Sequence, residues 1–327
     1  MPTSTIRNNS DKRGSALLAV LWLSAALAAI SFAVASNVRV ETERASTLSE
    51  TVRAGYLAAG AVESAILRLQ SAHNRNQPAP GQFRHSFATG EAVTEVIPET
   101  SKLDLNTGKA PDFMNLLLAL GAPPDRAAQI TAGIVGRRGG GSGGFGGGGG
   151  SSFSALAASF QEIEEVLWLP GMTPDLFHGN YSRDARTGQL IRLGAFKECV
   201  SVRGSAQRFN VNGIEPALLR SLGVPWPQAN AFVAQRAAAP FLNAADLGRA
   251  ASTAGGAMVR LSMEANTIFT VRATARLRLQ DGRLSDVSRS VSATVKFRPP
   301  EVQPAYHILR WDDQSFSAAF SEARAWK

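Results

Sequence analysis

The chain has 327 residues, 44% of them hydrophobic and 18% charged, and carries a formal net charge of +8. That length supplies one or two packed domains beyond any anchor. A single cysteine, Cys199, excludes an intrachain disulfide, so the fold rests on its core alone. The four histidines (His73, His85, His178 and His307) share no metal-ligand spacing with it. The positive charge is spread, with Arg137-Arg138 the only dense spot in mid-chain. It reads as a solvated basic surface rather than as a nucleic-acid stripe or a headgroup-binding patch.

The first element follows a basic head. Asp11-Lys12-Arg13-Gly14 precedes Ser15, and no charged residue stands between Gly14 and Val38. An uncharged run of that length crosses a bilayer as a helix. Arg7, Lys12 and Arg13 outweigh Asp11 on its N-terminal side, which keeps the N-terminus in the cytoplasm. The rival is a cleaved secretory signal, since Ala33-Val34-Ala35 before Ser36 fits a small-residue cleavage site. The run, however, exceeds a signal's usual apolar length. The helical pattern also continues past Ala35. Leu48, Val52, Tyr56, Ala59, Val62, Ile66 and Leu69 follow in steps of three and four and are expected on one face. A retained helix from Ser15 to Ala72 would be about 85 Å long.

Pro78 and Pro80 end it. Phe83, His85 and Phe87 alternate with polar residues, and Glu91 to Ile97 also reads as a strand. A helical region over 101–250 follows. Within it, Leu103-Asp104-Leu105-Asn106-Thr107, Pro111 and Leu120-Gly121-Ala122-Pro123 are echoed later. The second copy is Phe209-Asn210-Val211-Asn212-Gly213, Pro216 and Leu222-Gly223-Val224-Pro225. Each copy reads as two short helices joined at a Leu-Gly turn, with the asparagine expected to cap the first helix. Leu169-Pro170-Gly171-Met172-Thr173 is a third possible turn. In nucleic-acid-binding helix-hairpin-helix motifs a Gly-x-Gly turn holds a phosphate through backbone N–H groups. Here Pro123, Pro225 and Thr173 stand at the second glycine, and proline has no N–H. A protein-contact role for this region is favoured over DNA binding.

The tract Gly139–Gly150 holds ten glycines and matches a hydrolase elbow and a dinucleotide fingerprint by accident. Neither match sits between a strand and a helix, so the tract reads as a linker. Glu162, Glu164 and Glu165 could supply metal oxygens, but read better as the solvated first turn of a helix. No nucleophile, base and orienter share a usable spacing, so catalytic residues are none. The clearest sheet signal is the last. Val271 to Leu279 and Val287 to Phe297 alternate around Asp281-Gly282, a hairpin expected to turn through type I′ geometry. Pro299-Pro300 ends it, and 299–327 is expected to be a loosely structured tail.

Taken in order, these segments resemble the K-type minor pseudopilins of type II secretion systems. The resemblance rests on Arg13-Gly14-Ser15-Ala16-Leu17-Leu18 with Leu21-Trp22-Leu23, and on Ser101 to Thr107. Glu164-Glu165-Val166 with Pro170-Gly171-Met172-Thr173, and Phe209 to Asn212, complete it. It implies an α+β, pilin-like fold. A prepilin leader (1–14) would precede a transmembrane and amphipathic helix (15–73). A small antiparallel sheet (81–100 and 265–298) would flank an inserted α-helical domain (101–250) that carries the helix-hairpin-helix-like repeats and the 139–150 loop. It implies cleavage between Gly14 and Ser15 by a prepilin peptidase and N-methylation of Ser15. Its partners would be I-type and J-type minor pseudopilins and the inner-membrane secretion platform, and its place the tip of a periplasmic pseudopilus, where it would prime assembly.

Ala19 marks that place. Most pilin-like subunits carry a glutamate at this fifth mature position, where it meets a neighbour's N-terminal amine. A tip subunit has no such neighbour ahead, and an unpaired carboxylate in a bilayer is costly. Some relatives bind calcium on an acidic loop of the insert. The corresponding stretch here has no acid from Gly139 to Gln161, which argues against calcium, and no other cofactor is expected. Two other functions compete: a membrane-anchored helix-hairpin-helix DNA-binding protein of an uptake system, and a secreted binding protein released at Ala35.

Overall fold

A computed structural model describes residues 11–75, 81–138, 159–179, 181–183, 190–192, 194–243, 245–248, 254–263, 267–299 and 301–313 of the chain. The glycine tract, residues 1–10 and residues 314–327 lie outside the described residues. Helix α1 (Asp11–Asn74) leads into strands β1 (Gln82–Phe87) and β2 (Gly90–Pro98). The inserted region then holds β3 (Leu103–Asp104), α2 (Ala110–Ala119), α3 (Pro124–Arg138), α4 (Pro174–His178), β4 (Tyr181–Arg183) and β5 (Leu190–Arg192). It continues through α5 (Phe196–Cys199), β6 (Val200–Ser201), β7 (Phe209–Asn210), α6 (Pro216–Ser221), α7 (Trp226–Ala238) and β8 (Leu261–Ser262). Strands β9 (Ile268–Arg278), β10 (Leu284–Phe297) and β11 (Tyr306–Asp312) complete the described chain.

Five strands form one antiparallel sheet in the order β1-β2-β9-β10-β11. The insert thus leaves the sheet after β2 and returns at its hydrogen-bonded neighbour β9. The fold is the α+β arrangement expected: long helix, antiparallel sheet and helical insert. One sheet face packs on α1. Val271, Ala273, Ala275, Val291, Ala293 and Val295 meet the buried helix residues Ala58, Ala61, Val62, Ala65, Ile66 and Leu69. Small side chains dominate both sides, so helix and sheet approach closely.

The face that α1 buries differs from the expected one. Val62, Ile66 and Leu69 are in the core, but Leu48, Val52 and Tyr56 are exposed, Tyr56 by 76%. Each step of four advances a side chain by about 40°. The two such steps from Leu48 to Tyr56 carry Tyr56 off the buried stripe, whose centre is Ala54, Ala58, Ala61 and Ala65.

The hairpin between β9 and β10 also turns differently. The N–H of Gly282 donates to Leu279 O, and that of Leu279 to Arg283 O. Three residues therefore make the loop, with Gly282 at φ +83°. This is a turn closed by a left-handed glycine, not the two-residue type I′ form. The tail is a further correction, because β11 pairs with β10 as an edge strand. Its register slips at Thr294/Val295. The slip lets Tyr306 and Trp311, an odd number of residues apart, both pack on the α1-side core. It also breaks the period of two that would have revealed the strand.

The insert has its own core, which shares no residue with the first. Ala254, Ala257 and Leu261 belong to it, so it runs past residue 250. Its two repeats share several matching bonds. Asp104 Oδ1 accepts the N–H of Asn106, and Asn210 Oδ1 that of Asn212. The asparagines do not cap helices. Asn106 donates to Phe160 O at 3.0 Å and accepts its N–H at 2.7 Å, and Asn212 does the same with Phe241 at 2.8 and 3.0 Å. Each clamps its lead-in to a phenylalanine segment far along the chain, where a nearby helix end could not have drawn it. Arg138 donates to Leu105 O and Gly108 O, as Arg236 does to Val211 O and Ile214 O.

Asn106→Ala and Asn212→Ala each remove two such bonds and strand a backbone pair. Each is expected to cost about 1–3 kcal/mol in urea unfolding, against a surface control such as Gln235→Ala.

Candidate functional site

The junction lies on α1. Gly14 and Ser15 fall in its first turns, and Ala19 follows one turn later on the exposed apolar segment. Among the described residues, no other element covers that segment. Leu17 is 72% exposed, Trp22 74% and Phe32 78%. Among the described residues this is the one helix long and apolar enough to cross a membrane, and it is a candidate membrane anchor. Charge resumes at Arg39, which pairs with Glu43 at 3.0 Å. Beyond it, Leu48, Val52, Tyr56 and Leu67 stay exposed, and a Cβ at Gly55 or Gly60 would meet nothing within 4 Å. The outer flank of α1 therefore keeps open apolar side chains well past the uncharged run.

The hairpins show how the repeats end and restart. Gly121 (φ +86°) and Gly223 (φ +97°) close their first helices. The next N–H reaches back to Leu117 O in one copy and to Leu219 O in the other, a Schellman closure. The second helices then begin with Pro123-Pro124-Asp125 and Pro225-Trp226-Pro227. Donors are missing where a phosphate would sit, and Asp125 adds a negative charge in the first copy.

The acidic cluster forms the cap and first turn of a short 3-10 helix (Ile163–Trp168), as expected, but its carboxylates are paired rather than merely solvated. Glu165 pairs with Arg137 and accepts the N–H of Gln161 and Glu162. Glu162 and Glu164 hold Arg310 of β11 at 2.7 and 2.8 Å. Among the described residues, no group of three or more His, Cys, Asp or Glu could hold a metal ion. Burial pushes the Cys199 thiol well up, away from its reactive thiolate form.

Glu99, in the turn after β2, was not singled out by the sequence. It is 4% exposed. It accepts from Lys102 Nζ at 2.8 Å, from Thr270 Oγ1 of β9 at 2.6 Å and from Ser201 Oγ of β6. One carboxylate thus joins the sheet to the insert. Burial alone would raise its pKa, but the Lys102 charge and the bonds from Lys102, Ser201 and Thr270 prevail, and it titrates below the usual range. Beside it lies a cleft of about 900 Å³ between the second sheet face and the insert. Glu95 and Arg272 line it from the sheet, and Glu198, Glu215 and Arg236 from the insert. Burial raises the pKa of Glu95 and Glu215. The Arg236 charge works against that rise at Glu215. No sequence signal marked these groups, because each pairing joins segments far apart in the chain.

No protein-family model matches the chain, and neither does any curated protein. Among solved structures, it is similar to a chain in the crystal structure of the GspK-GspI-GspJ complex from the type 2 secretion system of enterotoxigenic Escherichia coli. The identity is 14%, over 82% of this chain and 98% of that one, with a TM-score of 0.44. A likeness at that level carries no argument about function.

The two kinds of carboxylate predict opposite pH effects. The depressed pKa of Glu99 stabilises the fold above the ordinary carboxylate value of 4.5, and that contribution is lost as pH falls through the folded value. Glu99→Gln should flatten this acid limb and, by stranding Lys102, cost about 3–5 kcal/mol at neutral pH. Glu215 has a raised pKa, so its ionisation opposes folding as pH rises through the folded value. Glu215→Gln should therefore stabilise the protein at pH 7. Thermal melts from pH 3 to 8 check both.

Proposed function

We propose that this chain is a minor pseudopilin, a structural subunit that sits at the tip of a type II secretion pseudopilus and primes its assembly. The observation that carries the reading is the continuity of α1. One helix runs unbroken from an uncovered apolar segment into the sheet core, with no break at Ala35-Ser36. Such a helix suits a subunit that is stored in a membrane and drawn into a filament. A cleaved signal needs no such continuity. In this reading a prepilin peptidase cuts between Gly14 and Ser15 on the cytoplasmic side, and the Ser15 amine is methylated. The N-terminus faces the cytoplasm, α1 crosses the inner membrane, and sheet and insert lie in the periplasm.

The partners are I-type and J-type pseudopilins and the inner-membrane secretion platform. The open stripe of Leu48, Val52, Tyr56 and Leu67 supports helix packing between subunits. Ala19 supports the tip position, where no neighbour's amine would balance a carboxylate. The roles drawn here are structural, and none needs a catalytic group. The DNA-binding reading is less favoured, because prolines occupy the phosphate-facing turns of both hairpins.

Co-expression with the peptidase should yield a mature chain starting at Ser15 by mass spectrometry; a start at Ser36 would overturn the reading. Co-expression with I-type and J-type partners should yield a complex that survives gel filtration. Ala19→Glu should lower the yield of that complex several-fold. An unchanged yield would remove Ala19 as a marker of the tip.

A further inference from the structure

The insert and the sheet are separately packed bodies. Their apolar cores share no residue, and a polar cleft of about 900 Å³ lies between them. Among the described residues, hydrogen bonds and ion pairs cross the gap at Glu99 and at Arg310. At one, Glu99 is bonded to Thr270 of β9 and to Ser201 of the insert. At the other, Arg310 of β11 reaches Glu162 and Glu164 of the insert. The two places share one row of the sheet. Thr270 pairs with Thr294, and Thr294 with Arg310. Two strand spacings separate them, about 10 Å.

The two attachments differ in kind. Glu99 and Lys102 have side chains only 6% and 12% exposed, and the chain itself passes through this point. Arg310, Glu162 and Glu164 are 36%, 55% and 45% exposed, and no covalent link lies beside them. The buried joint resists salt, whereas the exposed one is screened by it. The gap between them is lined by charges from both bodies, among them Glu95 and Arg272 against Glu198, Glu215 and Arg236. Such walls tolerate water, so separating them exposes little apolar surface.

We infer that the insert is hinged on the sheet at Glu99 and latched by Arg310. With the latch made, insert and sheet move as one body. With it broken, the insert swings about the turn after β2 and the cleft widens. The edge strand β11 is then a strap that sets the angle of the insert, a role separate from where the chain sits in any filament.

The test is a distance measurement on the full-length chain in detergent. Spin labels are placed at Gln82→Cys on β1 and Gln235→Cys on α7, both exposed, in a Cys199→Ala background. Pulsed dipolar spectroscopy at low salt should give one narrow distance distribution. Arg310→Ala, or 1 M salt with Arg310 intact, should raise the ratio of longer to shorter distances about twofold to fivefold, the range for exposed ion pairs. If Arg310→Ala disturbs β11 itself, seen as a lowered melting temperature, the surface variant Glu162→Gln/Glu164→Gln decides, and it should widen the distribution equally. A distribution unchanged by that double variant and by salt overturns the hinge.

Discussion

One helix has to satisfy two surroundings, and the rest of the structure follows from that. An α-helix bonds every backbone group internally, so it passes from lipid to water to protein core without a break. Helix α1 keeps its backbone bonded in this way over 64 residues, from an uncovered apolar segment to the sheet core. Its N-terminal part carries an uncharged, mainly apolar run, and its C-terminal part offers a stripe of alanines. The stripe dictates the sheet. Small residues on α1 call for small residues on β9 and β10, and Ala273, Ala275 and Ala293 supply them. The sheet in turn spends one face on the helix, so its second face is polar and free to carry another body.

The insert takes that second face, but on different terms. Helix and sheet meet through apolar contact, whereas sheet and insert meet through Glu99, Thr270, Ser201 and Arg310. Apolar contact is non-directional and rewards full closure. Polar contact holds at points and tolerates a gap. The difference explains why a wide charged cleft persists between two well-packed cores. Inside the insert the chemistry is repeated rather than varied. One asparagine, one arginine and one left-handed glycine perform matching tasks in each copy. The helical hairpin is kept as a scaffold, with prolines where a phosphate-binding form presents N–H groups.

Much of this was legible in the residues. The uncharged run, the paired strands around Asp281-Gly282 and the repeat at Gly121 and Gly223 are local patterns, and each formed the element its pattern implied. The failures were of three physical kinds. Alanine was undervalued, since a pattern read by side-chain size passes over Ala54, Ala58, Ala61 and Ala65 and selects Tyr56 instead. A bulge concealed β11, because one slipped residue destroys the alternation by which a strand is recognised. Asn106 and Asn212 were assigned to the nearest helix, when their partners lie 54 and 29 residues away.

The sequence by itself determined the uncharged run and the basic residues before it, the alanine at position 19 and the identity of most elements. These depend on composition and short-range periodicity, which a chain carries before it folds. Only the tertiary structure decided which face of α1 is buried, that β11 closes the sheet, and that Glu99 and Arg310 join sheet to insert. These depend on partners brought together from distant parts of the chain. A buried carboxylate such as Glu99 gives no sign of its role until Lys102, Ser201 and Thr270 surround it.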